Sequence, residues 1–483
     1  MITPSTAVRA TSRRVQRDDS GRSFSYDDLE EEGPPARPLD FPTPRIREAR
    51  VSTVRMRDGR TGRIYELEDV IVSLPDNSSP TAPISQGDDF SKAEKAYLVK
   101  KNLSKSTYGS INLCTVLKRL RPNESFDFGS GDAFDASWMA TDDLVVVKTS
   151  SWNTIRDFRG RHLEDPIKEA AALQHMGNYH PNVLGCLEVL QDDENLYTVM
   201  PFCSGGDLYG KIMRKKTQAI RQRKSYHFQE TRARILFRQL IHGLKHLQKK
   251  GVCHRDISLE NLLLDRNDCL RIVDFGLALR VPYTDASNPG AISDVSEGLC
   301  RRLIRAQGQG GNLNYLAPEI VARADSFDGF ASDIWSAGVV LFILLVGSAP
   351  FKWAHPSDRL FSQISANGRL RDVLASLNIP VSDEACHLLQ NLLWADPRKR
   401  LTLSQILRHP WLTERSMIRS TENDSDVWNQ KNQPIPGAPR EGQQRRASAP
   451  PEDKPSSKSR LSRQICFEKL SKVHALPRPM KLS

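Results

Sequence analysis

Two carboxylates and one amide lie close together in this 483-residue chain, at spacings that suit proton transfer beside a metal ion. Asp256 follows a His-Arg pair, Asn261 comes five residues later, and Asp274 opens an Asp-Phe-Gly triplet. One carboxylate can accept the proton of an attacking hydroxyl. The amide and the second carboxylate offer the oxygen ligands that Mg²⁺ prefers. The segment therefore contains a candidate general base close to candidate metal ligands.

Two short apolar runs must position these residues. Leu262–Leu264 and residues 270–273 are separated by a polar turn, which is typical of paired strands. Such strands would fix both loops on one wall. The alternative is an unrelated buried strand pair with surface acids, and the joint spacing argues against it.

The order H-R-D-x-x-x-x-N followed by D-F-G resembles the catalytic and magnesium loops of the eukaryotic protein kinases of Ser/Thr type. The resemblance covers roughly residues 93–412, and its ending is similar to that of the calcium/calmodulin-dependent group. The later motifs are Ala317-Pro318-Glu319, Asp333-Ile334-Trp335, Asp396 to Arg400, and His409-Pro410-Trp411. The resemblance implies an α+β fold of two lobes, a small mainly-β lobe and a large mainly-α lobe.

The resemblance also implies roles for the charged residues of the loops. Asp256 orients and deprotonates a protein Ser/Thr hydroxyl, and Asn261 and Asp274 hold Mg²⁺ beside ATP. Arg255, before the catalytic Asp, matches an arginine that in the family often clamps a phosphate on the activation segment.

A lysine and a glutamate complete the implied catalytic set. Lys148 ends the apolar strand 144–148 and contacts the ATP phosphates. Glu169, on the helical stretch 166–176, pairs with Lys148 in the family.

The implied nucleotide site has a flap and a hinge. Of the three glycines usual in the flap, only Gly109 is present, and two serines predict a stiffer cover over the phosphates. The hinge places backbone groups beside adenine, and Asp207 reaches the ribose or a substrate arginine. The flap residues are Leu103, Ser104, Lys105, Ser106, Gly109 and Ile111, and the gatekeeper and hinge residues are Met200, Pro201 and Cys203.

Two departures weaken the resemblance. Ser258 stands where Ser/Thr kinases carry a lysine that contacts the γ-phosphate, and Asn312 stands where its threonine partner would be. Loss of one such charge is worth on the order of 3 kcal/mol of transition-state stabilisation. We hypothesise that Lys105 compensates, which unchanged turnover in Lys105→Ala would reject. The alternative function is a pseudokinase scaffold that binds nucleotide or a protein partner.

The activation segment, residues 277–316, is long. No Ser or Thr occurs between Glu297 and Tyr315, where an activating phosphosite usually lies. We expect an acid such as Glu297 to satisfy Arg255, and activity without obligatory phosphorylation of this segment.

Composition divides the rest of the chain. Residues 1–50 are polar and predicted to be disordered, and residues 51–75 are expected to form either a small β-hairpin docked on the catalytic domain or a weakly structured segment. Residues 76–92 are predicted to be a linker, and 118–142 an insertion in the 93–412 kinase domain. Residues 413–483 form a disordered basic tail.

The tail and the whole-chain charge bear on partners. Residues 454–483 carry eight Lys/Arg and one acid, which suits a membrane surface, nucleic acid, an acidic partner, or simply solvent. Residues 461–473 can be drawn as a basic amphipathic helix for a calmodulin-like partner. No nucleic-acid-binding module is recognisable, although the tail leaves that third class open. The acids Glu260 and Asp207 suit substrates with upstream arginines, as around Ser448.

Location follows from what the sequence lacks. No apolar leader is present, and the longest apolar run, 339–346, is too short to cross a bilayer. The eight cysteines show no CxxC pairing, which favours reduced thiols. We predict a cytoplasmic or nuclear protein without a transmembrane segment.

Overall fold

The computed structural model describes residues 35–58, 61–75, 93–120, 138–221, 228–285, 288–293, 300–413 and 481–482. The expectation of disorder for residues 1–50 is wrong from residue 35 onward, because residues 36–45 make backbone hydrogen bonds and a strand begins at Arg47. Residues 1–34 lie outside the described part of the chain.

The small lobe is a closed barrel in the strand order β1-β2-β3-β4-β5-β7-β6. Neighbours in this order pair antiparallel, whereas β1 closes the barrel by parallel pairing, Arg47 with Leu190 and Met56 with Trp138. The strands are β1 (Arg47–Arg57), β2 (Ile64–Ser73), β3 (Lys95–Ser106), β4 (Gly109–Arg119), β5 (Trp138–Ser151), β6 (Glu188–Gln191) and β7 (Asn195–Pro201).

A buried polar cluster joins the strands where the barrel closes. The Glu188 carboxylate accepts hydrogen bonds from Arg47 and Ser73, each at 3.0 Å, and from the Tyr97 hydroxyl. Burial, followed by the adjacent Glu188 charge, raises the pKa of Tyr97. The tyrosine therefore stays a neutral donor, and β1 is tied to β6 by a charge that is paired rather than left alone.

The expected insertion at 118–142 is shorter than predicted. Strand β4 continues to Arg119 and β5 begins at Trp138, because Leu117 and Trp138 are fully buried in the barrel. Residues 121–137 lie outside the described residues.

The large lobe is mainly helical, and short strand pairs position its loops. Leu262–Leu264 pairs antiparallel with Leu270–Ile272 and with Gly206–Asp207, and Leu279–Arg280 pairs with Val252–Cys253. The helices are α1 (Trp152–Phe158) and α2 (Pro166–Met176) beside the small lobe, then α3 (Leu208–Arg221), α4 (Glu230–Lys249), α5 (Pro318–Val321), α6 (Gly329–Val346), α7 (Arg359–Phe361), α8 (Leu370–Ser376), α9 (Asp383–Leu392), α10 (Leu403–Arg408) and α11 (Pro410–Thr413). A π turn (Ser362–Ala366) and a 3₁₀ turn (Pro397–Lys399) join them.

Short strands complete the large lobe: β8 (Gly206–Asp207), β9 (Val252–Cys253), β10 (Leu262–Leu264), β11 (Leu270–Ile272), β12 (Leu279–Arg280), β13 (Tyr283–Asp285), β14 (Asn288–Ser293), β15 (Cys300–Arg301), β16 (Ile304–Arg305), β17 (Gly311–Asn312), β18 (Ser326–Phe327) and β19 (Lys481–Leu482).

Helix α6 is the centre of the large lobe. Asp328 caps its first turn by accepting from Phe330 N and Ala331 N, and Gly347 ends it in the left-handed conformation with φ +83°. The helix is long and apolar enough to cross a membrane, but all of it is buried inside the lobe. Its apolar character is therefore explained by packing on every side.

Candidate active site

Lys148 and Glu169 form an ion pair at the junction of the lobes. Strand β5 places Lys148 between Ile111 and Thr198 of the neighbouring strands. Helix α2 places Glu169, and Lys148 Nζ lies 2.6 Å from Glu169 Oε2. Burial alone would lower the pKa of Lys148, but the carboxylates of Glu169 and Asp274 raise it above its ordinary value. The lysine is therefore a fixed cation facing the cleft at neutral pH.

Asp256 is held from two directions. Asn261 Nδ2 donates to Asp256 Oδ2 at 2.8 Å and to its backbone oxygen at 2.9 Å. On the other side, Asn312 N donates to Asp256 Oδ1 at 3.1 Å. All three residues are buried, so the carboxylate has one fixed orientation in which to receive a proton.

Asp333 on α6 holds the backbone of the loop that carries Asp256. Its carboxylate accepts from His254 N at 2.7 Å and Arg255 N at 2.8 Å. The His254 ring then bridges the two loops, because Nε2 donates to Val273 O at 3.0 Å and Nδ1 accepts from Asp256 N at 3.3 Å. This arrangement requires the neutral imidazole with its proton on Nε2.

Asn261 and Asp274 lie beside each other and offer oxygen atoms. Val273 N donates to Asn261 O at 3.1 Å, which ties the loop before Asp274 to Asn261. Since Asn261 Nδ2 is used by Asp256, its amide oxygen is the group left to face the cleft. An amide oxygen with a carboxylate is a suitable donor set for a hard divalent cation. These two residues would hold the divalent metal that the resemblance implies.

Arg255 and Asp274 share an unusual backbone conformation. Their φ angles are +68° and +67°, in the left-handed region that side chains other than glycine rarely adopt. Strain of this kind persists only where surrounding contacts impose it, and it is concentrated at functional sites.

The flap is a β3–β4 hairpin whose turn is Thr107–Tyr108. Its serines take part in the strand pairing, Ser104 opposite Ile111 and Ser106 opposite Gly109. A Cβ on Gly109 would lie 2.3 Å from the backbone oxygen of Thr149, so the close approach of β4 to β5 requires glycine there. Leu103 and Lys105 are exposed on the same hairpin.

Sequence reasoning missed Tyr108 at the tip of the flap. Its hydroxyl donates to Glu164 O at 2.5 Å, and its backbone oxygen accepts from Ser151 N at 2.9 Å. The flap is thus tied to the segment just before α2. An aromatic residue in a turn otherwise made of small polar residues was the available signal.

The hinge residues follow the end of β7. Met200 pairs with Val146 and Pro201 with Val145 of β5. Cys203 is buried, and its oxygen accepts from Gly206 N at 3.3 Å. Asp207 Oδ1 accepts from Gly210 N at 2.6 Å, so one of its oxygens caps the start of α3.

The two departures lie on the two segments that meet at Asp256. Ser258 is buried, and its backbone oxygen accepts from Asn261 N at 3.1 Å. The Asn312 side-chain oxygen accepts from Asn314 N and Nδ2, each at 3.3 Å. Asn312 therefore contacts Asp256 through its backbone, a contact that does not depend on the side-chain change.

The Arg255 side chain donates a hydrogen bond to a backbone oxygen of the activation segment. Its Nη2 donates to Gly308 O at 2.9 Å, and its guanidinium lies 5.5 Å above the Phe327 ring. Glu297, the acid expected to satisfy it, lies outside the described residues.

Strand β17, which carries Asn312, is extended by a remote part of the chain. Gly311 pairs with Leu482 and Asn312 with Lys481, antiparallel. The expectation of disorder is therefore wrong for these two tail residues. Residues 414–480, including the basic stretch and Ser448, are outside the described part.

A buried ion pair fixes the end of the activation segment. Arg400 makes two parallel hydrogen bonds to Glu319, Nη1 to Oε1 at 2.8 Å and Nη2 to Oε2 at 2.7 Å. Arg400 also donates to the oxygens of Ala331 and Trp394. The pairing joins α5 to α6 and to the 3₁₀ turn.

Comparison with known proteins shows the family to which the chain belongs. The family model described as "Protein kinase domain" matches residues 129–412, more than half of the chain. The Arabidopsis thaliana serine/threonine-protein kinase SRK2I is 29% identical over 317 residues, covering 64% of this chain and 76% of that protein.

Two further relatives are matched by this chain over less than half of their own length. The "Fatty acyl-CoA synthetase and RNA processing-associated kinase 1" of Saccharomyces cerevisiae is 34% identical over 269 residues, 55% of this chain and 27% of that protein. Calcium-dependent protein kinase 29 of Arabidopsis thaliana is 33% identical over 259 residues, 53% of this chain and 42% of that protein. The predicted Ser/Thr kinase family and the bilobal α+β fold are confirmed.

Proposed function

Because the chain belongs to the eukaryotic serine/threonine protein kinases, for which ATP and a divalent metal are implied, we propose that it is an active enzyme. It transfers the γ-phosphoryl group of ATP to Ser or Thr hydroxyls of proteins, with Mg²⁺ as the metal. The observation that carries the proposal is the orientation of Asp256 by Asn261 and Asn312. Nothing in a scaffold would require a fixed carboxylate there.

The proposed reaction divides its work among few residues. The hydroxyl oxygen forms a bond to the γ-phosphorus, the bond to the β–γ bridging oxygen breaks, and ADP leaves. The hydroxyl proton passes to the Asp256 carboxylate. Lys148, fixed by Glu169, holds phosphate oxygens. Mg²⁺, when bound to Asn261 and Asp274, supplies charge neutralisation on the phosphates.

Protein substrates are supported by the edge of β17. That strand lies beside Asp256 and pairs with an extended segment, Lys481–Leu482. A substrate peptide in the same extended form would reach the carboxylate by backbone pairing. The acids Glu260 and Asp207 would select arginines upstream of the target hydroxyl, and Ser448 after Arg445-Arg446 is a candidate internal site.

The second candidate function, a pseudokinase scaffold, is favoured by Ser258 and by the serines of the flap. The complete set of Lys148, Glu169, Asp256 and the two metal ligands favours the enzyme. Lys105 on the flap would replace the missing cation near the γ-phosphate.

For location and partners, we propose a protein of the cytoplasm or nucleus, with a calmodulin-like or acidic partner that binds the basic tail.

The test is phosphate transfer from Mg-ATP to the chain itself and to a Ser/Thr peptide library. Asp256→Ala should abolish transfer, while Asp372→Ala, which removes an exposed acid on α8, should leave it unchanged. Transfer by wild type and by the Asp372 variant, but not by the Asp256 variant, supports the enzyme. No transfer, with a melting temperature still raised by Mg-ATP, supports the scaffold.

A further inference from the structure

The segment from Ala36 to Arg45, here called the arm, runs across the activation segment and α2 before it enters the barrel as β1. It contains Pro38, Pro42 and Pro44, which restrict the backbone to extended conformations. Its backbone donors in described hydrogen bonds come from Ala36, Leu39 and Arg45, none of which is proline. The sequence thus suits an ordered strap with little conformational entropy to lose.

The first half of the arm is hydrogen-bonded to the activation segment. Ala36 N donates to Leu303 O at 3.0 Å, and Arg305 N donates to Ala36 O at 2.8 Å. Leu39 N donates to Arg280 O at 3.1 Å, and Arg280 Nη1 donates to Asp40 O at 2.6 Å. These bonds hold both β16 and β12, the strand that follows Asp274 and Gly276.

The second half of the arm is bound to α2. The Gln174 amide makes two bonds to Arg45, accepting from its N–H and donating to its oxygen, each at 2.8 Å. The Phe41 ring meets the His175 ring edge to face, with centroids 6.0 Å apart. The arm therefore connects the activation segment to the C-terminal half of the helix that carries Glu169.

The position of Gln174 makes this connection relevant to the ion pair. Gln174 lies five residues after Glu169 on one helix, so a shift at one is carried to the other. The large lobe also holds this end of α2, through His175 to Lys250 O and His246 to Met176 O, each at 3.0 Å. The two histidine contacts hold α2 to the large lobe only locally. The arm, in contrast, is hydrogen-bonded both to α2 and to the strands β12 and β16.

We infer that the arm is a built-in positioning element that keeps α2 where Glu169 meets Lys148, with the activation segment in place. The inference rests on the proposed function and adds its regulation. Between Glu297 and Tyr315 the chain has no Ser or Thr to phosphorylate, and Arg255 is engaged by Gly308 O. The arm supplies, through backbone bonds, the ordering that a phosphate on that segment could supply.

The experiment uses full-length Gln174→Ala and the Phe41→Ala/Gln174→Ala double variant. Gln191→Ala is the matched control, because it removes a 2.8 Å surface bond between β6 and Glu48 of β1 without touching α2. Two quantities are compared: hydrogen exchange of the backbone amides of α2, and kcat and KM for a peptide substrate.

We expect exchange in α2 to rise, and kcat to fall, by roughly five- to thirty-fold, with the KM for peptide little changed. The control should match wild type in both. Unchanged exchange in α2 in the double variant would overturn the inference, as would a uniform rise over the whole chain, which would indicate general destabilisation. If wild type transfers no phosphate, the proposed function fails, while the exchange data still decide the role of the arm.

Discussion

At the residue scale, the site depends on groups that are fixed before a substrate arrives. Asp256 and Asp333 are buried, Lys148 is partly buried, and each is held by hydrogen bonds or an ion pair at 3.1 Å or less. Preorganised charge of this kind would need no rearrangement during the proposed reaction, and such preorganisation is a main source of stabilisation in phosphoryl transfer.

The Lys148–Glu169 pair should behave as one unit in kinetics. Lys148→Met and Glu169→Gln should each lower kcat roughly 100- to 1000-fold, and the double variant should be no worse than the poorer single one. A double-mutant cycle on peptide phosphorylation measures this coupling. Arg371→Met is the control, since it breaks an exposed ion pair with Asp383 and should leave kcat unchanged. Additive losses in the cycle would contradict the prediction.

His254 should make stability depend on pH. Burial lowers its pKa to about 4, below the ordinary 6.5, so between these values the unfolded chain takes up the proton more readily. Its contribution is complete above about pH 6.5 and is lost as the pH falls toward 4. Lowering the pH from 7 to 5 should cost about 2 kcal/mol through this residue.

The measurement is urea unfolding of wild type and His254→Gln at both pH values. The variant should start less stable, since its side chain cannot reproduce both ring contacts, but should lose less stability on acidification. Equal losses in the two proteins would assign the pH dependence to other groups.

At the element scale, β17 is both a support for Asp256 and an edge for pairing. Its Asn312 N–H points to the carboxylate, while the strand also pairs with Lys481–Leu482. Because Lys481–Leu482 occupies this edge, that segment should compete with any peptide that binds there by strand addition.

Leu482→Pro should therefore lower the KM for peptide substrates. Proline removes a backbone donor and disfavours strand pairing, so the edge of β17 should become available. A fall of roughly three- to ten-fold in KM with unchanged kcat is expected, the effect of about one hydrogen bond. Leu482→Ala keeps the backbone and is the control. Equal KM values in the proline variant and wild type would exclude competition at this edge.

At the scale of the whole molecule, buried charges join segments that are remote in sequence. Arg400 and Glu319 are 81 residues apart and pair at a site where the Arg400 side chain is 0% exposed. Glu188 joins three strands of the barrel in the same way. Each is stable only with its partners, because an isolated buried charge is costly.

Loss of Arg400 should destabilise the whole domain. Arg400→Met leaves Glu319 without its partner and should cost about 3–5 kcal/mol in the free energy of unfolding. The urea midpoint measures this loss. Arg398→Met, two residues away in an exposed pair with Asp396, should change stability by less than about 0.5 kcal/mol. Similar midpoints for the two variants would contradict the prediction.

The catalytic loops could be predicted from the sequence because their chemistry is local. Asp256, Asn261 and Asp274 lie within 19 residues, on loops set by short strands whose pairing needs only a tight turn. Lys148 was identified by its apolar strand, and Glu169 by its helix and its order along the chain. The side-chain partner of Asn312 and the capping bond of Asp207 could not be assigned, since they depend on how a few atoms pack.

The sequence alone thus determined the family, the two lobes and the residues that do the proposed chemistry, since residue type and short spacing specify them. Only the tertiary structure decided that residues 36–45 cross to α2, that β1 closes the barrel, and that Lys481–Leu482 reach β17. Arg45 and Gln174 are 129 positions apart in the sequence, and Arg47 and Glu188 are 141 positions apart. Such contacts leave no period or motif in the chain, because backbone hydrogen bonds and single polar side chains can be supplied by almost any local sequence.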